Sequence, residues 1–580
     1  MTNDYEMLIC DVLVIGGGMA GLSAAIRAKD FSDNVILVDK AKVTRSGGSI
    51  HAHAYGSPAP EGGFGKRLKE MVQRSAYLGD QAWFEILLRE IGVRLNDMQN
   101  WGVQFLTDDK GDLKSDAIRG QSKGFVYLGY GRQVIETIAG EALKRGVRFV
   151  ERIAVTDLLT SDGQVPTHGY ITGAVGMHTR TGKFVVFKAK AVVIATGLAG
   201  SKMHVISMDN LTGDGYAMAF RAGAEITGLE FGPQGFGIWS GKFGGSGPGQ
   251  FQHGGAKLIN RKGEEFLFKY EGASREFVGF AGHFDQSAIC RAIIIENIEG
   301  RGPCYFDCRG WSEEKFNNIY KALPLTMRAF SEPGVGVDLK KEPVQTDPMV
   351  YAYGLSCQTG IRINTIGGTS VNGLFAAGAA AYYGGGPGPQ SLCLVGGYRA
   401  GENAAKWAQE MEPVEGAISQ IELFRENLYK PLKRRKGVSP DQVYHAVNKL
   451  VTPWGASFFK HEKRLTATLD KINEISKEDL PRITASDTHE LIKAFEAKNY
   501  VLLMGLYNRA ALERKESRLF HFREDFPYTD HRNWLKWILL KSDHKGTAQV
   551  ILEPVPLGCS AIVPDSFSKI PAAAVYQFEK

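Results

Sequence analysis

The sequence predicts an α/β protein: a Rossmann-like dinucleotide-binding domain with an inserted α+β capping domain and a C-terminal helical domain. Three observations lead there. Asp11–Asp39 reads as a buried strand, a glycine turn, an Ala-rich helix, a second strand and a terminal acid. A later buried run, Ala191-Val-Val-Ile-Ala-Thr-Gly197, ends in another glycine turn and adds to the same sheet. At 580 residues the chain exceeds what one hydrophobic core organises, so several domains are expected.

In the first unit, Gly16 permits the tight turn, and Gly18 lets backbone N–H groups approach a pyrophosphate at the helix N-terminus. Ala20 lies in that helix, and Gly21 allows close helix–strand packing. Asp39 ends the second strand, where its carboxylate can accept hydrogen bonds from a ribose, and Lys40 follows. Next comes the polar, glycine-rich loop Thr44-Arg-Ser-Gly-Gly-Ser-Ile-His51, containing Ser46, Gly47 and Gly48. Residues 66–105 carry a helical stripe of Trp83, Phe84, Ile86, Leu87, Leu88 and Ile91, and Gly131–Arg145 is amphipathic. Val147–Glu151 reads as a parallel strand. Strands near Val155, Gly169 and Phe184 form a meander, with Ala154 at its start. Asp214, in Thr212-Gly-Asp-Gly215, opens a helix running from Tyr216 to Ala222.

Beyond Gly232 the texture changes to glycine-rich loops, a hairpin signal at 260–263 and a helix at about 285–299. Strand character returns at Ile361–Asn364 and Gly373–Gly378, and a Pro/Gly loop leads to a helix from Ser391 to Ala408. The division expected is 1–232 and 357–412 for the two parts of the cofactor domain, 233–356 for the cap, 413–520 helical, and 521–580 a tail with a last strand at Ala548.

The net charge of +6 is small, and no Arg/Lys stripe interleaved with aromatics marks a nucleic-acid surface. No apolar run is long enough to span a membrane, and the first residues lack a signal peptide's basic and apolar regions, so a cytoplasmic protein is expected. The seven cysteines include no C-x-x-C pair, so no metal or iron–sulfur site is expected in the chain.

Taken in order, these pieces resemble the flavoprotein subunits of the fumarate reductase and succinate dehydrogenase family, which includes L-aspartate oxidase and the alpha subunit of adenylylsulfate reductase. The marks are Gly16–Gly21, Thr44-Arg-Ser46, Ala195-Thr-Gly197, Thr212–Gly215, Glu230-Phe231, Asn260–Phe266, Asn372–Gly378 and Glu516–Pro527. The resemblance implies FAD. Its adenosine and pyrophosphate would lie on the first unit, and its ring near Ser46–Ser49, Asp214, Gly378 and the helix carrying Ser391 and Leu392. Ala195, Thr196 and Gly197 complete the implied cradle. That helix would turn its positive end toward the flavin and stabilise the anionic reduced ring. Covalent members place a histidine where this chain has Gly47, so non-covalent FAD is implied, with His51 and His53 the only substitutes nearby.

The dicarboxylate-binding groups of the family are missing. The proton-donating arginine aligns with Gln286, the substrate histidine with Leu355 and the carboxylate-clamping arginine with Gly386. Fumarate or succinate is therefore not the expected substrate. The Arg-Ser-Gly loop and Gly300-Arg-Gly-Pro303 resemble the adenylylsulfate reductase branch.

The catalytic candidates are His253, His283, Arg291 and Tyr383, each with a plainer reading. His253 reads more readily as a solvated loop histidine, Arg291 as a partner of Glu296 or another acid, and Tyr382 and Tyr383 as packing aromatics. Cys357 reads as a buried thiol, and Arg518 and Arg523 as braces between cap and cofactor domain. The resemblance implies an oxidoreductase subunit exchanging electrons between a small substrate and a ferredoxin-like iron–sulfur partner in a hetero-oligomer. A self-contained fumarate reductase or aspartate-oxidase-like enzyme and a non-catalytic electron-transfer subunit are the rival readings.

Overall fold

The computed structural model describes residues 5–45, 47–52, 54–113, 115–117, 123–200, 210–232, 234–239, 244–245, 251, 255–270, 283–322, 327, 337–350, 352–353, 358–385, 389–412, 418–543, 547–557 and 561–578. Its main sheet runs Arg148–Glu151, Val35–Asp39, Glu6–Ile15, Phe184–Ile194, Ile171–His178, Ile153–Thr160, with Leu374–Ala376 also paired to Phe184–Ile194. The first four strands are parallel, and Leu374–Ala376 joins them in the same sense. The last two form the expected antiparallel meander.

Two sequence readings change here. The first strand begins at Glu6, ahead of Asp11. The runs at Phe184 and Ala191 are one continuous strand whose interior lysines, Lys188 and Lys190, only half emerge. Its first half pairs with Ile171–His178 and its second with Leu374–Ala376, so both halves keep a full ladder.

Helix Met19–Ala28 lies against helix Pro389–Glu410 along small residues. A Cβ on Gly397 would sit 2.3 Å from Ala20 O, and one on Gly401 would sit 2.1 Å from Ala24 O. Only glycine lets the backbones come so near. This contact brings the second part of the cofactor domain onto the first, although more than 350 residues separate them.

The inserted segment forms an antiparallel five-stranded sheet, Gly244–Gly245, Gln234–Trp239, Val344–Val350, Cys304–Asp307 and Lys257–Ile259. Helix His283–Ile298 packs on it. The hairpin at 260–263 is present: Asn260 N donates to Glu264 O at 3.0 Å. Phe458, Phe459, Phe520 and Phe522 from the C-terminal part complete this core.

Residues 418–513 are mostly helical, ending in the 26-residue helix Thr488–Glu513, whose Asp487 cap accepts from Glu490 N at 2.9 Å. The tail holds a strand that the sequence reading missed, Lys536–Ser542. It pairs with Ala548–Pro554 and with Ile226–Thr227, which in turn pairs with Gly360–Ile361. Of the strand expected at Ile361–Asn364, only Gly360–Ile361 forms. No helix among the described residues is long and apolar enough to cross a membrane.

Candidate functional site

Ile15, Ile194 and Ala376 end neighbouring parallel strands in register, with Asp39 one residue beyond Val38, the partner of Ile15. Four loops therefore open at one edge of the sheet, where open α/β sheets bind their ligands. At Gly16, φ is +110° and a Cβ would lie 2.5 Å from Ala195 O. A Cβ on Gly21 would come within 1.8 Å of Gly16 O, and one on Gly378 within 2.5 Å of Ala20 Cβ. These glycines let the loops converge.

Gly18 starts helix Met19–Ala28 with no side-chain cap, which leaves helix N–H groups for an anion. Ser49, which the sequence reading placed only in the ring region, accepts from Met19 N at 3.2 Å. Asp39 accepts from Gly17 N and Ala41 N, each at 2.8 Å, so its carboxylate is fixed beside the turn. Thr196 Oγ1 is buried without a hydrogen-bond partner. An orphaned hydroxyl at the strand end, between glycine loops, fits a bound polar group there.

Other expected contacts turn inward. Lys40 Nζ donates to Thr212 Oγ1, Asp214 Oδ2 and Glu496 Oε1 at 2.7, 2.8 and 2.9 Å, so all three of its hydrogens are used within the protein. Asp214 also accepts from Thr212 Oγ1 and from Asn499 Nδ2. Burial pushes its carboxyl up, but Lys40, Asn499 and Thr212 together hold it below the usual range. Lys40 and Asp214 thus tie the sheet edge to helix Thr488–Glu513. Glu496 and Asn499 are hydrogen-bond partners that no local pattern marked.

Ser391 is buried and accepts from Gly56 N at 3.1 Å, anchoring the start of helix Pro389–Glu410 to the strand Ala54–Gly56; Leu392 is buried beside it. Ala154 is buried in Ile153–Thr160. Gly47 has φ +77° and open space where a side chain would point, and Gly48 begins the turn Gly48–His51. Ala195 is buried and Gly197 closes the strand turn. Ser46 and His53 lie outside the described residues.

Of the catalytic candidates, Arg291 and Tyr383 are described with their side chains. His253, Cys357, Leu355 and Gly386 lie outside the described residues, as does the side chain of His283, the first residue of its helix. Tyr383 is fully enclosed, edge-on to Trp83 at 4.9 Å, with its hydroxyl accepting from Gly378 N. Tyr382 donates to Leu78 O. With no surface to offer, both fit the packing reading.

Arg291 does not pair with Glu296, which binds Arg301, Asn260 and Tyr270 instead. It donates to Ser287 Oγ and to the carbonyls of Ala573 and Ala574, and lies 4.5 Å over Phe522. Burial lowers it to about 10. Arg518 bridges Glu516 and Ala76 O, while Arg523 binds Asp525 and caps the carbonyls ending helix Thr488–Glu513.

Residues 11–391 match the FAD binding domain family, and 453–566 match the fumarate reductase flavoprotein C-terminal family. The 8-methylmenaquinol:fumarate reductase flavoprotein subunit of Wolinella succinogenes is 30% identical over 93% of this chain and 89% of its own. The chain belongs to the fumarate reductase and succinate dehydrogenase flavoprotein family. A fumarate reductase (CoM/CoB) subunit from Methanothermobacter marburgensis is 28% identical, over 93% of this chain and 98% of that one. The adenylylsulfate reductase of Archaeoglobus fulgidus shares the fold, with a TM-score of 0.78 at 22% identity and coverage of 96% and 98%. As a family member the chain is an FAD-dependent oxidoreductase, with the glycine-lined strand edge fitting its cofactor.

Proposed function

We propose that this flavoprotein moves an electron pair between a small substrate and a separate iron–sulfur subunit. The observation that carries the proposal is an imbalance within the chain. One sheet edge is shaped for a dinucleotide, yet seven cysteines without a C-x-x-C pair give electrons no onward carrier. Two relatives are themselves named as subunits. FAD bound at the edge supplies two-electron transfer at its N5.

The residues then divide the work. Backbone N–H groups at the start of helix Met19–Ala28 would hold the pyrophosphate and Asp39 the ribose. The first turn of Pro389–Glu410, fixed through Ser391, would turn its positive end toward the ring. Residues 233–356 act as a cap that excludes water. The substrate is not a simple C4 dicarboxylate, since the family resemblance aligns Gln286 with the proton-donating arginine, Leu355 with the substrate histidine and Gly386 with the carboxylate-clamping arginine. The chain works in the cytoplasm.

The test uses the purified chain. Acid precipitation should release yellow FAD into the supernatant, because Gly47 has no side-chain atom to form a link; colour left in the pellet would refute non-covalent binding. Turnover with an added ferredoxin and slow reaction with oxygen are expected. Rapid peroxide formation by the chain alone would instead identify an oxidase.

A further inference from the structure

Residues 561–578 touch several parts of the molecule in turn. Ile562 exchanges two backbone bonds with the Gln81 side chain, each 2.9 Å, at the start of helix Gln81–Asn100 in the cofactor domain. Ile570–Pro571 then pairs with Tyr528–Thr529, and Ala572 N donates to Pro527 O at 2.9 Å. Residues 514–530 are themselves fixed to the cofactor domain: Arg514 binds Glu230 at 3.0 Å, and Arg518 donates to Ala76 O at 2.6 Å. The segment therefore starts from a base that belongs to the cofactor domain.

From that base it crosses to the inserted domain. Arg291, in the middle of helix His283–Ile298, donates through Nη2 to Ala573 O at 2.8 Å and through Nε to Ala574 O at 3.3 Å. Its bond to Ser287 Oγ stays within the helix. Among the described residues, the hydrogen bonds Arg291 makes outside its own helix thus both land on consecutive carbonyls of this segment. Ala574 is 5% exposed and stands at φ +50°, a left-handed conformation that costs an alanine and persists where the surroundings impose it. Beyond it, Tyr576 and Phe578 pack on Phe459 at centroid distances of 6.2 and 5.3 Å.

Apolar contact already joins the inserted domain to the base, since Phe520 and Phe522 lie in its core. Such contact is non-directional. Two guanidinium bonds to carbonyls held in place are directional and set one position. Residues 567–578 also lie past the end of the C-terminal family match at 566, so this tie stands outside the matched family pattern.

We propose that residues 567–578 are a strap that holds the inserted domain down over the flavin, with Arg291 as its point of attachment. The strap limits how far that domain opens, and so controls the access of substrate and solvent to the cofactor. The proposal rests on the reading of residues 233–356 as a cap, and it gives Arg291 a positioning role in place of a catalytic one.

The experiment uses the FAD-loaded chain and two readouts: amide hydrogen exchange in helix His283–Ile298, and quenching of the flavin fluorescence by iodide. A chain ending at Ser566 and full-length Arg291→Met should each speed the exchange at least tenfold and raise the quenching constant at least twofold. Flavin content and exchange in helix Met19–Ala28 should not change. Combining the two changes should add little to the larger effect, because both remove the same tie. Arg291→Lys keeps a cation, loses the fork onto two carbonyls, and should give a smaller rise. Val575→Ser, on the strap but 47% exposed, should alter neither readout.

Should the shortened chain fail to retain FAD, Arg291→Met decides by the same two readouts. Wild-type exchange in the helix of Arg291→Met overturns the strap and leaves the cap reading standing. Faster exchange with unchanged quenching shows that the inserted domain does not cover the flavin, which overturns both.

Discussion

Two buried cationic clusters meet the C-terminal segment, and they are built on opposite principles. In one, Arg514 binds Glu230 at 3.0 Å and Glu516 at 2.8 Å, and Arg518 forks onto both oxygens of Glu516 at 2.7 and 2.8 Å. Asp530 N adds a further bond to Glu516. Two arginines and two glutamates cancel, and these side chains are at most 3% exposed. In the other, Arg291 and Lys460 influence each other electrostatically with no ion pair to either among the described residues. Lys460 donates to Phe520 O and lies 5.8 Å from the Tyr507 ring. The first cluster is charged and satisfied. The second is solvated by carbonyls, the Ser287 hydroxyl and ring faces.

The comparison predicts opposite responses to losing a charge. Glu516→Gln removes the carboxylate shared by Arg514 and Arg518 and leaves Glu230 alone to balance two guanidiniums in a dry site. A loss of about 3–5 kcal/mol is expected, the range for breaking a buried pair, read as a lowered denaturation midpoint. A loss under about 1 kcal/mol would show that water reaches the cluster and that its pairing is ordinary.

Lys460→Met should go the other way. Burial, with the charges of Arg291 and Arg523, pushes the lysine well below its ordinary range. An unfolded lysine titrates near 10.4. Below that pH the unfolded chain takes up a proton that the folded site resists, so the wild type gains stability as pH rises. Methionine of similar volume removes that dependence and should add about 1–2 kcal/mol at pH 7. The advantage should shrink as pH approaches 10. A destabilised Lys460→Met at pH 7 would mean that the amine is needed as a donor to Phe520 O, and the contrast between the clusters would fail.

The same contrast explains what could be read in the sequence. Gly16 through Asp39 lie within one βαβ unit, and their geometry follows from steric needs that each residue carries locally. Lys40 looked like a cofactor contact because it follows Asp39, but its ammonium is spent on Glu496, 456 residues away. Arg291 looked like a partner for Glu296 five residues on, whereas its acceptors at Ala573 and Ala574 are about 280 residues distant. The strand Lys536–Ser542 is buried at most positions because Ile226–Thr227 and Ala548–Pro554 flank it. Without an alternating pattern, a continuous apolar run does not declare its type. Contacts made across the chain leave no spacing to read.

A last substitution fixes the scale of the comparison. Arg132 and Glu136 pair at 2.9 Å, one turn apart on the exposed face of helix Tyr130–Lys144, with side chains 55% and 46% exposed. That distance falls within the range of the Arg514 and Arg518 bonds, so pairing geometry alone would forecast a similar loss. Water and counter-ions instead screen both partners whether or not they touch. Arg132→Ala should therefore cost about 0.3–0.5 kcal/mol at low salt, and that should fade in strong salt. Were its effect to approach that of Glu516→Gln, distance rather than dryness would set the strength of these pairs, and the difference between the two buried clusters would need another cause.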